Sequence, residues 1–424
     1  MVRPSIEVEL EPVSRRLKTA LMHPAKTDRV LDPHFSLDGK RILARSYPSN
    51  VVQLWDVDSG KQLTAIETEA GRLPNYHVAT NWSTLYVSRY NRKSSQVERE
   101  GKRLFRVDYE SDVQAWDLAT AKRTDTLRFT PSRGIHPFRL SPDGETLVTF
   151  ERRSGEFEQW PPPTASLWDV KTRSFRALPE GLDGVSAQFS ADGKTLLASL
   201  LNDRRRLVAW KLFDVATATE KQSFPAPLEN SPAGRAALSP DGRFLAANVY
   251  SPIPDESLLT LWETATAREL ISFNPEDADH LSWPVFSPDG RQLVVSTFNT
   301  EPTNLYLFDL ATRTLSGTVS LGPKALSFGP TFSPDGRWIV AVTQVYPDDV
   351  RSWRYLNHVE TPQARIYVID AASGELCETL IAPQGLVRKA SFRPDGAMFA
   401  TGTTGKVLLW DFRQPPVTAQ QSRR

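Results

Sequence analysis

A Ser-Pro-Asp-Gly motif between two short apolar runs recurs along the chain and constrains the fold more than any other feature. Proline presets φ at the second position of a turn and glycine accepts the positive φ that follows, so each copy predicts an antiparallel β-hairpin. Further Asp-Gly pairs begin at Asp38, Asp192 and Asp395, and Asn81-Trp82 replaces the pair in a degenerate copy, HVATNWSTLYV. The four clearest copies are LSPDGETLVT (140–149), LSPDGRFLAA (238–247), FSPDGRQLVV (286–295) and FSPDGRWIVA (332–341).

A second motif, typified by VVQLWDV and VLLWDF, follows every hairpin and includes an acidic residue at or near its end. Its strand and the one before it are nearly continuous apolar runs, which indicate burial on both faces. A polar turn and a shorter fourth strand such as ELCETL (375–380) follow. Four strands per unit, repeated eight times, bury both faces only by stacking around an axis, which predicts an eight-bladed β-propeller. The acids, spaced by 41–61 residues, are Asp56, Asp117, Asp169, Asp214, Glu263, Asp309, Asp370 and Asp411.

The order of hairpin, Ser-Pro-Asp-Gly, strand, Trp-Asp and Thr/Ser-Gly turn resembles the WD-repeat propeller family over residues 16–412, and its loose patterning resembles bacterial members. The resemblance implies an all-β fold of four-stranded antiparallel blades. The family's Gly-His dipeptide is absent from every unit. The buried Asp-His-Ser/Thr-Trp network of the family is therefore not carried over to this chain, and the recurring acids are expected to make a repeated structural hydrogen bond.

The two ends of the repeat predict how the ring closes. Pro415 and Pro416 follow Trp410-Asp411 and exclude a fourth strand there, whereas RLKTAL (16–21) matches ELCETL in pattern. We expect residues 16–22 to supply the outer strand of the last blade, which removes a bare sheet edge. The expected organisation is an N-terminal extension (1–15), a single propeller (16–412) and a flexible C-terminal tail (413–424).

Composition argues against several functional classes. The 51 basic and 50 acidic residues leave a net charge of +1, which argues against nucleic acid as a partner. Cys377 is the only cysteine, which excludes internal disulfides and cysteine metal sites, and an inert thiol is expected. No signal peptide or long apolar run occurs, so we expect a cytoplasmic protein without membrane contact.

No catalytic residue, cofactor or metal site is predicted. The six histidines show no metal-binding spacing, and no nucleophile elbow or phosphate loop is present. His34 and His77 occupy equivalent positions beside the first strands of the first two blades, which favours a shared structural role.

Three connections between second and third strands are long, namely 89–112, 151–165 and 344–364, and are predicted to be loops on one face of the ring. Long loops on a rigid scaffold often carry binding, although tolerated insertions and a solvated charged rim explain the same residues. Basic residues favour an acidic partner surface, and aromatic residues favour interface anchors. The candidate partner-binding residues are Arg92, Lys93, Arg99, Lys102, Arg103, Arg152, Arg153, Trp160, Arg204, Arg205, Arg206, Trp353 and Tyr355.

The leading hypothesis is a non-catalytic, monomeric WD-repeat propeller that acts as a protein–protein interaction scaffold through this insertion-bearing face. One alternative is a propeller hydrolase or lyase whose active site lies in the central channel and is assembled from several blades. Such a site would be invisible to linear motifs. A second alternative, a solute- or peptide-sensing propeller, would require export from the cell.

Overall fold

Eight antiparallel sheets contain the 34 strands of the structure, and no helix occurs among the residues that it describes. Each sheet has four principal strands, so the all-β, eight-bladed propeller predicted from the sequence is confirmed. The computed structural model describes residues 16–22, 28–68, 76–79, 81–99, 102–128, 133–153, 155–156, 164–202, 204, 206–228, 231, 234–250, 257–275, 281–297, 302–322, 325–327, 329–345, 364–382, 387 and 389–414.

The blades follow one another along the chain and are numbered 1 to 8 from the N-terminus. The strand that precedes blade 1 is β1 (Leu17–Met22). Blade 1 comprises β2 (Arg29–Phe35), β3 (Arg41–Tyr47), β4 (Val51–Asp56) and β5 (Gln62–Glu67). Blade 2 comprises β6 (Tyr76–Val78), β7 (Thr84–Arg99), β8 (Lys102–Asp117) and β9 (Arg123–Arg128). Blade 3 comprises β10 (Arg133–Leu140), β11 (Thr146–Arg153), β13 (Thr164–Asp169) and β14 (Phe175–Ala177), while the short β12 (Gly155–Glu156) pairs with blade 2. Blade 4 comprises β15 (Leu182–Phe189), β16 (Thr195–Leu201), β17 (Leu207–Asp214) and β18 (Glu220–Pro225).

The second half of the ring repeats this arrangement. Blade 5 comprises β19 (Gly234–Leu238), β20 (Phe244–Tyr250), β21 (Ser257–Glu263) and β22 (Glu269–Phe273). Blade 6 comprises β23 (Val285–Phe286), β24 (Gln292–Ser296), β25 (Asn304–Asp309) and β26 (Thr314–Ser320). Blade 7 has a split first strand, β27 (Ala325–Ser327) and β28 (Thr331–Phe332), then β29 (Trp338–Val345), β30 (Ala364–Asp370) and β31 (Leu376–Ile381). Blade 8 comprises β32 (Ala390–Phe392), β33 (Met398–Thr403), β34 (Lys406–Asp411) and, as its outer strand, β1.

The Ser-Pro-Asp-Gly motif forms the turn between the first and second strands of a blade. In blade 6, Ser287 Oγ donates to Asp289 Oδ1 (2.6 Å) and accepts from the backbone N–H of Gln292 (2.9 Å). Gly290 takes the required left-handed φ of 69°. The degenerate copy in blade 2 works the same way, because Trp82 has a φ of 54° and Asn81 Oδ1 accepts the N–H of Ser83 (3.0 Å).

The recurring acids end the third strand in all eight blades, as predicted. Their carboxylates stabilise the turn to the fourth strand: Asp56 Oδ1 accepts the backbone N–H and the hydroxyl of Ser59 at 2.8 and 2.6 Å. These hydrogen bonds from Ser59 lower the pKa of Asp56. The expected structural role of the acids is therefore confirmed, and equivalent backbone hydrogen bonds occur at Asp117, Asp169, Asp214, Asp309 and Asp370. Asp411, after which the described residues form no further strand, accepts instead the backbone N–H of Arg413.

The hydrophobic core lies between blades rather than within them. Eight buried apolar clusters occupy the eight interfaces between neighbouring blades. At the interface between blades 1 and 8, for example, Ile42 and Trp55 pack with Ala400 and Leu409. A single blade therefore buries its apolar faces only when both neighbours are present.

Ring closure occurs as the sequence predicts. Strand β1 pairs antiparallel with β34, from Leu17 opposite Trp410 to Met22 opposite Lys406. The backbone N–H of Asp411 donates to the carbonyl oxygen of Arg16 (2.7 Å). The N-terminal segment thereby covers the edge that β34 would otherwise expose.

Candidate functional site

Blade 2 carries an extended hairpin arm, defined here as residues 89–99 and 102–112. Strands β7 and β8 pair without interruption from Thr84 opposite Asp117 to Arg99 opposite Lys102. The neighbouring strand β6 pairs only as far as Val87, so the arm continues beyond the four-stranded part of the blade. Ten residues of extended chain span about 33 Å. The prediction of a loop over 89–112 was wrong, because both segments continue the regular pairing of β7 and β8.

A buried ion pair fixes the base of the arm. Arg89 donates from Nε (3.0 Å) and Nη2 (2.7 Å) to Oδ2 of Asp112, the residue directly opposite it in the ladder. The Asp112 side chain is almost fully buried, with 6% of its surface exposed. A shift of register would separate these two opposite residues and leave the buried carboxylate without its partner, which costs free energy. The ion pair therefore favours the observed register where the strands leave the blade.

Blade 3 contributes a strand to the arm. Gly155 and Glu156 of β12 pair antiparallel with Val107 and Arg106 of β8. This two-residue segment belongs to the long connection between the second and third strands of blade 3. The predicted insertions of blades 2 and 3 therefore join into one sheet beyond the ring.

The candidate partner-binding residues fall into three groups. Arg92, Lys93 and Arg99 lie on β7, Lys102 and Arg103 on β8, and Arg152 and Arg153 at the end of β11. The exposed Arg204 and the half-buried Arg206 lie in the connection from β16 to β17, where Asn202 Oδ1 accepts both of their backbone N–H groups at 3.0 and 2.9 Å. Trp160, Arg205, Trp353 and Tyr355 lie outside the described residues.

These positions share one end of the ring. The arm, the end of β11 and the β16–β17 connection all belong to links between second and third strands, in three consecutive blades. Because strands alternate in direction within each antiparallel blade, such links lie on the same face. The structure thus places the described basic candidates of blades 2, 3 and 4 on one side of the propeller.

A second concave site lies in the central channel, which the first strands of the blades surround. These strands neighbour each other around the ring, as in the contacts of β10 with β15, β15 with β19 and β32 with β2. A cavity of about 500 Å³ opens between blades 1, 2, 3, 7 and 8. Its charged or ring-bearing polar lining consists of Asp32, His34, Arg45, Tyr76, His77, Arg139 and Lys389.

Asp32 and Arg45 form the rigid part of this channel cavity. Asp32 lies in a β-bulge between Leu31 and His34 and has a left-handed φ of 50°. Its Oδ2 accepts from Nε (3.1 Å) and Nη2 (2.9 Å) of Arg45. Desolvation opposes ionisation of Asp32, but the charge and hydrogen bonds of Arg45, with smaller contributions from neighbouring groups, together lower the pKa of Asp32 below its ordinary value. The carboxylate is therefore charged and already paired.

Tyr76 and His77 on the short strand β6 bind the neighbouring blades. The Tyr76 hydroxyl donates to the carbonyl oxygen of Asp32 (2.6 Å), and burial raises the Tyr76 pKa well above its ordinary value. His77 Nε2 lies 3.1 Å from the carbonyl oxygen of Phe138, so this nitrogen carries the proton and donates it. Burial, followed by the Arg139 charge, lowers the pKa of His77 to about 3. His77 is neutral at pH 7 and has the structural contact predicted for it.

His34 is the histidine of the channel cavity without a hydrogen bond to the described residues. Its ring reaches the solvent of the channel, yet the surrounding protein desolvates it. Desolvation is the largest influence, and it lowers the pKa of His34 despite the opposing charge of Asp32. A neutral imidazole with both ring nitrogens available can donate to or accept from a ligand. The ring of His34 packs against Tyr76 of the next blade (ring centroids 6.0 Å apart), as that of His77 packs against Phe138 (5.0 Å), so the two histidines share a structural contact although only His77 adds a hydrogen bond to it.

Sequence reasoning missed the channel cavity because its residues come from five blades. The one signal was the presence of polar residues in first strands that precede hairpin turns, such as Asp32 and His34 or Tyr76 and His77.

Among the residues that the structure describes, no group of three or more His, Cys, Asp or Glu could hold a metal ion. The same part of the chain contains no helix able to span a membrane. Burial raises the pKa of the Cys377 thiol on the outer strand β31.

Comparisons with known proteins agree with this architecture. The family model described as WD domain, G-beta repeat, matches residues 374–411, which contain the outer strand of blade 7 and the three inner strands of blade 8. Comparison with curated protein sequences found no match. Among solved structures, hydrazine synthase of Kuenenia stuttgartiensis is similar with a TM-score of 0.50 and 15% identity. The similarity covers 81% of this chain and 98% of that one. At this identity the likeness shows the fold alone.

The matched repeat and the ring are related in a simple way. The match to the family model begins just before the outer strand of blade 7 and ends on the third strand of blade 8. The matched sequence repeat is therefore offset by one strand from the structural blade. The same offset explains why β1, at the opposite end of the chain, completes blade 8. The chain is therefore an eight-bladed β-propeller that contains a repeat matching the WD domain, G-beta repeat model over residues 374–411.

Proposed function

We propose that this protein is a non-catalytic interaction scaffold that recognises protein partners through the face bearing the hairpin arm. Propellers of the WD-repeat family typically serve as protein-interaction scaffolds, and the observation that carries the proposal here is the arm itself. The arm, which begins beyond the last residue that pairs with β6, continues the pairing of β7 and β8 for about 33 Å, which is further than a four-stranded blade requires. Its length is explained by contact with something outside the propeller.

The charge of the arm supports a partner with an acidic surface. Five candidate basic residues, Arg92, Lys93, Arg99, Lys102 and Arg103, lie on its two strands. Arg152 and Arg153 of blade 3, and Arg204 and Arg206 of blade 4, extend the basic region around the same face. Clustered like charges raise the rate of encounter with an oppositely charged surface and select against other partners.

The edge of the arm supports a further mode of contact. Strand β8 is paired on its outer side by β12 at Arg106 and Val107, whereas the part of β7 from Tyr90 to Arg99 pairs only with β8 among the described residues. A free edge of this length presents backbone donors and acceptors to an extended segment of another chain. The side chains of the partner then determine which segment is accepted.

The test compares two variants with the same loss of charge. In the first, the five arm residues Arg92, Lys93, Arg99, Lys102 and Arg103 are changed to glutamine. In the matched control, the five exposed basic residues that follow Asp-Gly turns on the opposite face, Lys40, Lys194, Arg243, Arg291 and Arg337, are changed to glutamine. Each protein is used for affinity purification from its native cell, followed by mass spectrometry. We expect the arm variant to lose partners that the control retains; equal recovery by both variants would contradict the proposal.

The channel cavity favours a second candidate function, a hydrolase or lyase with its active site in the channel. The supporting observation is the convergence of His34, His77 and Tyr76 on one cavity. A screen of ester, phosphoester and lactone substrates tests it, with His34→Gln as the comparison. Turnover by the wild-type protein that the variant lacks supports the enzyme, and absence of turnover in the screen argues for the scaffold.

A further inference from the structure

The charges that line the channel cavity do not balance. Among the described residues, four charged side chains line it: Asp32, Arg45, Arg139 and Lys389. Asp32 and Arg45 neutralise each other through their hydrogen-bonded ion pair. The two histidines are neutral at pH 7 because burial lowers the pKa of each. The cavity therefore contains two positive charges that no carboxylate offsets in the part of its lining that the structure describes.

Arg139 is held in place by backbone oxygens alone. Its Nε donates to the carbonyl oxygen of Ala187 (3.1 Å) and its Nη1 to that of Phe138 (2.9 Å). No carboxylate forms an ion pair with Arg139 among the described residues. The two carbonyl contacts fix the guanidinium plane, which leaves Nη2 without a hydrogen bond in the described part of the chain. A fixed guanidinium with spare donors is the group that proteins use to bind carboxylates and phosphates.

Lys389 of blade 8 supplies the second positive charge of the cavity. It precedes β32 of blade 8, and its exposed side chain makes no hydrogen bond or ion pair with the described residues. Lys389 is close enough to Asp32 and His34 to influence the pKa of both. An ammonium group next to a neutral imidazole offers two kinds of donor to the same ligand.

The backbone holds this arrangement at a cost in free energy. The left-handed φ of Asp32 is disfavoured for a residue with a side chain by about 1–3 kcal/mol. The bulge that contains it sets the positions of Asp32 and His34 on the first strand of blade 1. Such strain persists where the surrounding structure fixes it, and it is enriched at ligand sites.

We propose that the channel cavity is a binding site for a small anionic molecule that carries a carboxylate or phosphate group. Arg139 and Lys389 supply the charge, and His34 supplies a neutral hydrogen-bond donor; His77, whose proton is donated to Phe138, lies in the wall of the cavity. A volume of about 500 Å³ lies within the usual range of small-molecule sites. This inference does not depend on the proposed scaffold function, because the arm and the channel cavity are separate parts of the molecule.

The test is isothermal titration of the full-length protein at low salt with two probes, inorganic phosphate and succinate. Comparison of the probes distinguishes a phosphate from a carboxylate ligand. The variants are Lys389→Met and Arg139→Gln, with Lys194→Met as the matched control, since Lys194 is also an exposed lysine but follows an Asp-Gly turn. We expect one site per chain for at least one probe, with affinity reduced tenfold or more in Lys389→Met and unchanged in Lys194→Met.

A second measurement locates the site and remains informative if Arg139→Gln does not fold. The six histidines give a small set of ring resonances in NMR spectra, and His34→Gln identifies the signal of His34. We expect the bound probe to shift the His34 and His77 signals more than those of the other histidines. No binding of either probe, or binding that Lys389→Met leaves unchanged with no shift of these two signals, would overturn the proposal.

Discussion

The Nε atom of Arg16 lies 2.5 Å from Oε2 of Glu378, so the N-terminal strand is joined to the blade before the one that it completes. Glu378 lies on β31, the outer strand of blade 7, whereas β1 pairs with β34 of blade 8. Arg16 also donates from Nη1 to the carbonyl oxygen of Gln414 (2.6 Å) and lies over the ring of Phe412 (5.4 Å). Arg16 thus contacts the outer strand of blade 7 and the residues that follow β34 of blade 8 at the point of closure.

This closure predicts that β1 is required for a stable monomer. Deletion of residues 1–22 exposes the backbone edge of β34 and removes Leu21 from the interface between blades 1 and 8. We expect a lower midpoint of thermal unfolding and association into dimers or larger species in size-exclusion chromatography. Deletion of residues 1–15, which leaves β1 intact, is the control and should change neither. A truncated protein without β1 that stays monomeric and equally stable would refute this role.

Two buried tryptophans on third strands, Trp410 of blade 8 and Trp210 of blade 4, predict unequal costs of mutation. Trp410 Nε1 donates to Thr401 Oγ1 (2.9 Å), whereas Trp210 Nε1 and the opposite Ser199 Oγ have no partner among the described residues. Replacing Trp410 with phenylalanine leaves a buried hydroxyl without its donor, while the same change at Trp210 removes an unpaired donor. We expect Trp410→Phe to reduce the free energy of unfolding by about 1–2 kcal/mol more than Trp210→Phe. Denaturant unfolding measures both, and equal losses would show that this hydrogen bond contributes nothing net.

Local turn chemistry explains how much of the fold the sequence could predict. Each Ser-Pro-Asp-Gly turn and each terminal acid acts on residues within five positions of itself, as in the contacts of Ser287 with Asp289 and Gln292. Even the degenerate turn was identified correctly, because Trp82 takes the left-handed φ of the glycine it replaces. The number of blades followed from counting these local signals.

Contacts between distant residues explain what the sequence could not predict. Nothing near Arg89 in the sequence indicates that it pairs with Asp112 and so extends β7 and β8 into an arm. The channel cavity is a stronger case, because Asp32, Arg139 and Lys389 meet only after the ring has closed. No linear spacing relates them, so a motif search cannot identify such a site. The candidate residues of the arm remain predictions.

The turn after the third strand of blade 6 predicts a stabilising glycine substitution. Arg313 is exposed and has a φ of 62°, a conformation that costs a residue with a Cβ about 1 kcal/mol. Arg313→Gly removes this strain, and we expect the free energy of unfolding to rise by about 0.5 kcal/mol after the entropy cost of glycine. Ala311→Gly in the same turn is the control, because Ala311 does not have a positive φ and should lose stability instead. Urea denaturation of the two variants should give changes of opposite sign; changes of the same sign would contradict this account.

The desolvated ring of His77 predicts that part of the loss of unfolding free energy at acidic pH disappears in the variant His77→Gln. Burial and the Arg139 charge lower its pKa from 6.5 to about 3 in the folded protein, so the unfolded chain binds a proton first as the pH falls. Protonation therefore favours unfolding below pH 6.5, by about 1.4 kcal/mol per pH unit until the folded-state pKa is reached. His77→Gln does not titrate, and its amide can still donate to the carbonyl oxygen of Phe138. Between pH 6.5 and pH 5 we expect the wild-type protein to lose about 2 kcal/mol more of its unfolding free energy than the variant. The carboxylates and His34 titrate in both proteins, so the difference between them isolates His77, and parallel pH profiles in urea denaturation would show that its ring is not desolvated in solution.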